Sequence, residues 1–385
     1  MRTIEEASFS GKKVLIRVDF NVPLDDSGNI KDDSRIQAAI PTINYVLDQG
    51  PRQVIIMSHL GEPKGKAVPK LAMDNVSARL TQLLGKTVYK TKDCIVNRMP
   101  GEGIVLLENL RFHREETDND DEFAKKLASY ADIYVNDAFG VCHRKHASVH
   151  AITRHIPGFA GLLIEKELER LDINKMARPV HAIIGGAKLD TKIPMIQRML
   201  VNAEQVMVGG GMIFTFYKAK KYEIGESLLD KDYLKNAEMM LHNEKLYIPE
   251  DVVVADCETR ETEIRTVAVD KIPAKSIGLD IGEKSVAKMK SILKDAGTVI
   301  WNGPLGYYEK QPFDRATSEI AKYIAGLNCN KVVGGGDTAD LIHSLGLESG
   351  FTFISSGGGA ALEVLSGNRL IALEALDESE KLERD

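Results

Sequence analysis

The sequence predicts an α/β fold built from two doubly wound parallel-sheet domains. Three observations carry that expectation. At 385 residues the chain exceeds what one hydrophobic core usually serves. Short apolar runs alternate with amphipathic stretches through the first half. The second half repeats the alternation, with glycine clusters at its strand-to-helix turns.

In the first half, KVLIRV (13–18), QVIIM (53–57), IVLL (104–107) and IYVN (133–136) read as buried strands. Each is short, rich in β-formers and bounded by polar or turn residues. Between them, Ile36–Leu47, Met73–Leu84 and Asp121–Tyr130 carry apolar residues at helical spacing. This order predicts parallel β-α-β units with helices on both faces. Gly161–Leu171 reads as a helix without an obvious strand partner, either bridging two domains or lying on a surface. The second half contains HAIIGGAKLDTKIPMIQRML, QVMVGGGMIFTFYKA, KVVGGGDTADLIHSL and FTFISSGGGAALEVL, each an apolar strand, glycines and then a helix. Glycine lets backbone N–H groups approach a ligand, and a helix N-terminus favours an anion. Tight turns also need glycine, but four such clusters beside lysines and an aspartate favour a phosphate ligand. The polar end, DESEKLERD, reads as a frayed terminus.

Composition narrows the function classes. Hydrophobic residues at 43% and charged residues at 28% fit an ordinary globular protein. No apolar run approaches the roughly 18 residues of a membrane span, and MRTIEEASFSGKK has no apolar signal core. Cys94, Cys142, Cys257 and Cys329 lie far apart, which argues against a disulfide framework or zinc ribbon. A soluble, cytoplasmic protein is the expectation. The first 165 residues are neutral, so the net charge of −6 falls on the remainder. Neither part is basic enough for nucleic acid as the main partner. Six of the nine histidines (His59, His113, His143, His146, His150 and His155) lie in the first part. That half could focus positive charge into one cleft, although ordinary surface scatter explains the counts equally well.

Familiar nucleotide motifs are missing. Gly61-Glu-Pro-Lys-Gly65-Lys66 is one residue short of a P-loop, and Ala67 follows its lysine. No G-x-G-x-x-G follows the first strand, and the protein-kinase motifs are absent. Arginine and histidine do gather where first-half strands end. Arg17-Val-Asp19-Phe-Asn21 closes the first, with Arg35 soon after. Ser58-His59-Leu-Gly61 follows the second, Glu108-Asn-Leu-Arg111 the third, and Asn136-Asp137 leads to His143-Arg144-Lys145-His146. Each alone has a plain structural explanation. Together, Arg35, Arg111 and Arg144 could converge on a small doubly anionic metabolite, because guanidinium forks match phosphate and carboxylate.

These residues resemble a known family. Arg-Val-Asp-Phe-Asn-Val-Pro (17–23), Ser-His-Leu-Gly (58–61), Glu-Asn-Leu-Arg-Phe (108–112), Asn-Asp-Ala-Phe-Gly (136–140), Gly-Gly-Ala-Lys (185–188), Trp-Asn-Gly-Pro (301–304), Gly-Gly-Gly-Asp-Thr (334–338) and Ser-Gly-Gly-Gly-Ala (356–360) are similar, in order and spacing, to phosphoglycerate kinases. The resemblance spans nearly the whole chain. It implies reversible phosphoryl transfer between 1,3-bisphosphoglycerate and ADP, giving 3-phosphoglycerate and ATP, by a monomer that uses Mg²⁺ with the nucleotide. It implies two Rossmann-like lobes: residues 1–160 for phosphoglycerate, a hinge helix at 161–173, and residues 174–367 for nucleotide. The tail, 368–385, would pack back onto the first lobe, which displaces the frayed-end reading.

Carried over position by position, Asp19, Phe20, Asn21, Arg35, His59, Leu60, Gly61, Arg111 and Arg144 resemble the phosphoglycerate site, with Glu62 beside them. Ala187, Lys188, Lys192, Gly210, Gly278, Leu279, Gly303, Leu305, Glu309, Gly335, Gly336, Asp337 and Thr338 resemble the nucleotide site. The catalytic group would be Arg35, Lys188, Gly336 and Gly359. The residue types suit the chemistry, since phosphoryl transfer needs alignment and charge neutralisation. Lys188 and Lys192 are spaced to share one helix face. Asp337 suits Mg²⁺ as a single carboxylate, and amides opening the Gly357-Gly358-Gly359 helix could stabilise the moving group. Closure of the lobes would exclude water. A covalent phosphohistidine at His59 or His143 is the competing mechanism, and the resemblance speaks against it.

Departures mark what is particular to this chain. Glu62 stands where the family pattern has an arginine, predicting weaker 3-phosphoglycerate binding unless Lys64 or Lys66 compensates; an outward-turned, harmless Glu62 is the alternative. Val141-Cys142, Glu283 and Ile371-Ala372 replace Thr-Ala, a proline and a Pro-Gly pair, and the last could alter tail docking. A weakened relative serving as a nucleotide-binding module, or an oxidoreductase on a similar fold, are the competing classes. Thermal stabilisation by Mg-ATP against NAD separates the latter.

Overall fold

A computed structural model describes residues 1–256 and 261–383, so Cys257 lies outside the described residues. The chain forms two units. The first comprises Met1–Glu169 together with the C-terminal stretch from Arg369, and the second is Arg170–Asn368.

The first unit is built on six parallel strands: β1 Lys13–Arg17, β2 Gln53–Met57, β3 Val88–Lys90, β4 Gly103–Leu106, β5 Ile133–Asn136 and β6 Gly158–Ala160, in the order β3-β4-β2-β1-β5-β6. β2 and β5 are buried along their whole length, which is why they read as unbroken apolar runs rather than alternating ones. β3 and β6 carry too few residues to stand out in the sequence. Because β6 precedes it directly, the helix Leu162–Leu171 does follow a strand. The chain order reverses beside β1, where β2 and β5 flank it, and ligands collect at such a switch point beyond the strand ends.

Helices Ser34–Asp48, Asp74–Leu84 and Asp121–Ala128 join these strands. The first starts two residues before the apolar pattern does. The last stops two before Tyr130, whose hydroxyl instead accepts from Val96 N. The helix Ile371–Glu378 and a short helical turn after it also belong to this unit, rather than forming a frayed end. Ala372 N donates to Cys142 O at 3.1 Å, and Gly158 N to Ser379 Oγ at 3.1 Å. Two of the departures from the family pattern thus meet in one backbone bond.

The second unit has six parallel strands plus an antiparallel sheet that the sequence reading did not anticipate. The strands are β7 Val180–Ile184, β8 Gln205–Val208, β9 Leu246–Tyr247, β10 Asp251–Asp256, β11 Arg265–Ala268, β12 Ser276–Ile281, β13 Thr298–Asn302, β14 Asn330–Val333 and β15 Phe353–Ile354. The parallel order is β15-β14-β13-β7-β8-β9, and β11-β10-β12 form the antiparallel sheet. β7, β8, β14 and β15 each lead through glycines into a helix, at Ile193–Asn202, Ile213–Ala219, Gly336–Ser344 and Gly359–Ser366. Glu283 opens the helix Glu283–Leu293 and pairs with Arg315 at 2.8 Å, so a first-turn acid takes over where proline is usual. No described helix is long and apolar enough to cross a membrane.

Asp137, just past β5, starts the helix Leu162–Leu171. Its fully buried carboxylate accepts from Leu163 N at 2.9 Å, and burial raises its pKa to about 8. A side chain at Gly161 would collide with that carboxylate. The folded pKa lies above the ordinary 3.8, so the folded chain holds the extra proton between roughly pH 4 and 8. Stability from this group is therefore complete below about pH 4 and is lost as pH rises through about 8. Asp137→Asn keeps an acceptor without a charge. Urea unfolding of that variant from pH 5 to 8 is expected to show a shallower decline in stability than the parent; equal slopes would refute the assignment.

Candidate functional site

In the first unit, the loops after β1, β2, β4 and β5 bring the predicted residues into one basin. Arg17, the last residue of β1, is fully buried. Its Nη2 donates to His59 Nδ1 at 3.1 Å and its Nε to Ser148 Oγ at 2.9 Å. Two residues on, Asp19 accepts from Arg35 Nη1 at 2.7 Å. Asn21 Oδ1 takes the Gly61 amide at 2.8 Å, locking the β1 and β2 loops together. Phe20 and Leu60 point into the hydrophobic core, so they can offer a ligand only backbone atoms.

His59 is 2% exposed, and its pKa lies well below 6.5 because of burial and then the fields of Arg17, Arg111, Arg35 and Arg144. It is neutral, and since Arg17 occupies Nδ1, its proton sits on Nε2. Burial and the charges of Arg111, Arg17 and Arg144 lower His146 to about 4. A neutral histidine ringed by arginines is the electrostatic signature of an anion basin.

Arg111 is 3% exposed and enters from the 3-10 turn Leu110–Phe112, which Asn109 caps by accepting from Arg111 N at 3.1 Å. Its Nη1 donates to Gly61 O at 3.0 Å and to Glu62 Oε1 at 2.5 Å. Arg144 Nη1 lies 3.7 Å from the same Glu62 oxygen. Glu62 is therefore neither turned away nor repelled; it bridges two of the predicted binding arginines.

The second unit holds a cavity of about 340 Å³ beyond the ends of β7, β8 and β13. Ala187, Gly210, Gly278, Leu279, Leu305, Glu309 and Asp337 line it, with Phe214, Leu228, Ile277 and Tyr308 as walls that sequence reasoning missed. Gly278 is required because a Cβ there would overlap the Phe214 ring. Gly303, at φ +88°, passes against the Gly185 carbonyl, and its N–H donates to Thr338 Oγ1 at 2.8 Å. Gly303 and Thr338 thus build the cavity's frame rather than its lining. Gly335, at φ +121°, is the N-cap of the helix Gly336–Ser344; Gly336 opens that helix and Gly359 another.

The lysines differ from expectation. Lys188 is exposed in a loop, while Lys192 is the N-cap of the helix Ile193–Asn202, so the two do not share a helix face. Pro194 sets the first helical turn, and a bond from Leu189 N to Asp230 Oδ2 at 2.5 Å holds the preceding loop away from helical geometry. Lys192 Nζ donates to Asn302 Oδ1, and Asn302 Nδ2 to Gly334 O. Burial lowers the Lys192 pKa, and Asp337 opposes that shift. Asn302 lay within the quoted Trp-Asn-Gly-Pro motif but was not among the predicted site residues. Asp337 is an exposed carboxylate in the first turn of its helix, and such a donor on a cavity wall fits Mg²⁺.

A family model described as Phosphoglycerate kinase matches residues 4–368. The phosphoglycerate kinase of Pelotomaculum thermopropionicum is 46% identical, covering 97% of this chain and 98% of the relative. That of Aquifex aeolicus is 43% identical, over 98% and 99% of the two chains. The solved phosphoglycerate kinase from Coxiella burnetii superposes with a TM-score of 0.84 at 34% identity, covering 98% of each chain. With two parallel six-stranded sheets, an arginine-ringed basin on one and a glycine-framed cavity on the other, the chain belongs to the phosphoglycerate kinase family.

Proposed function

We propose that this chain is a working phosphoglycerate kinase. It moves a phosphoryl group reversibly between 1,3-bisphosphoglycerate and ADP, giving 3-phosphoglycerate and ATP, in glycolysis or gluconeogenesis. One observation carries the reading: four arginines bear on the buried, neutral His59 at the strand ends of the first unit. Arg35, Arg111 and Arg144 bind the charged groups of phosphoglycerate, and His59 donates from Nε2. Asp19, Asn21 and the Gly61 backbone orient the remainder.

In the second unit, the apolar walls from Phe214, Leu279 and Leu305 suit a purine, and Lys188 and Lys192 receive its phosphates. Asp337 would hold Mg²⁺, which supplies charge neutralisation on the phosphate oxygens. Amides opening the helices at Gly336 and Gly359, with Arg35, steady charge on the moving group. The reading has no covalent intermediate, and His59 is unsuited to forming one, because one of its nitrogens is occupied by Arg17 and the other carries its proton. In-line transfer with water excluded makes closure, with the helix Leu162–Leu171 as hinge, part of the reading. A monomeric, cytoplasmic enzyme completes it.

The test is a coupled assay of Mg-ATP with 3-phosphoglycerate, removing the bisphosphate with its dehydrogenase and NADH. Saturable turnover is expected; nucleotide binding without turnover would leave a binding module instead. Asn302→Ala frees Lys192 from its partner, and kcat is expected to fall about tenfold with 3-phosphoglycerate KM little changed, the loss of roughly one charge-assisted hydrogen bond. An unchanged kcat would remove Asn302 from the positioning of Lys192.

A further inference from the structure

Every arginine predicted to bind substrate begins with a carboxylate partner. Arg35 pairs with Asp19 at 2.7 Å, Arg111 with Glu62 at 2.5 Å, and Arg144 lies 3.7 Å from that same Glu62 oxygen. The partners differ in one respect. The Asp19 side chain is 9% exposed and fixed in the basin floor, whereas the Glu62 side chain is 64% exposed. Arg111 is itself almost wholly buried, and its Nε has no hydrogen-bond partner among the described residues. In the resting protein Glu62 is the negative group paired with this buried guanidinium, which lowers the cost of its burial.

We propose that Glu62 is an intramolecular stand-in for the anionic group of the substrate. It occupies Arg111 and Arg144 until phosphoglycerate displaces it into water. The proposal rests on the kinase reading above and specifies what sets affinity in that site. Phosphoglycerate gains only the difference between its own pairing with the two arginines and the Glu62 pairing it breaks. Being long and exposed, Glu62 can leave without carrying a charge through the core. Once displaced it faces solvent, so its cost falls on binding and not on the chemical step, which separates KM from kcat.

Glu62→Gln keeps the length and removes the charge. In the coupled assay its KM for 3-phosphoglycerate is expected to fall about threefold to tenfold, with kcat within about twofold of the parent and the Mg-ATP KM unchanged. Glu62→Arg is expected to lower KM at least as far. A second readout needs no turnover: inorganic phosphate alone should raise the melting temperature of Glu62→Gln more than that of the parent, because the anion meets no internal competitor. Parent turnover with equal KM and equal phosphate shifts in Glu62→Gln would overturn the stand-in role while leaving the kinase reading intact. So would a variant with raised KM and reduced kcat, since Glu62 would then hold Arg111 in its working position. A parent without turnover would sink the kinase reading, and the phosphate arm would still decide whether Glu62 competes with an anion.

Discussion

The first unit is organised around one buried cation. Arg17 is fully enclosed at the end of β1, and its guanidinium cannot remain there unpaired. Its contacts run to Ser148 Oγ, to His59 Nδ1 and to the Val18 carbonyl. Ser148 in turn donates from Oγ and N to the buried Glu116, at 2.6 and 2.9 Å. The counter-charge therefore sits one residue away, and three loops must be in place before Arg17 is satisfied. Those loops carry His59, Arg111 and the segment around Arg144. The requirement to neutralise a cation inside the core thus positions the basin's other arginines around it, and it spends the histidine lone pair that would otherwise be a nucleophile.

The second unit builds its cavity by another route. There the polar side chains mostly hold backbone: Thr338 receives the Gly303 amide, Asn302 donates to the Gly334 carbonyl, and Asp280 receives Ala316 N at 2.9 Å. Burial raises the Asp280 pKa to about 7. The charged side chains lining the cavity are the carboxylates Asp280, Glu309 and Asp337, and much of its shape comes from strand ends approaching more closely than any Cβ would allow. One site depends on where cations are placed, the other on where side chains are missing.

This contrast accounts for what could be read from the sequence. The parallel strands were legible because a strand covered on both faces is an unbroken apolar run, and the arginines proposed to bind because they stand in the loops or helix starts that follow such runs. Conditions set by distant chain were not. Lys188 and Lys192 have helical spacing, yet Asp230 and Pro194 decide where that helix begins. The partner of Glu62 is 49 residues away, and nothing local distinguishes an ion-paired carboxylate from a solvated one. β10 to β12 pair antiparallel with modest patterning, and the exposure of β11 leaves it little apolar signal. Asn302 stood inside a recognised motif, but its task appears only when Lys192 and Gly334 are seen beside it.

The helix Ile371–Glu378 gives the first unit a discontinuous sequence, and that bears on its birth. Leu376 packs against Gly158 so closely that no side chain fits between them, and the amino group of Met1 meets Asp377 at 3.3 Å. A ribosome therefore delivers the first six strands of the protein long before the segment that seals β6. The second unit, continuous from Arg170 to Asn368, is complete while the first still lacks its last piece. Synthesis order and completion order are reversed. Until the later segment arrives, the face of β6 that Leu376 covers is open to other nascent chains.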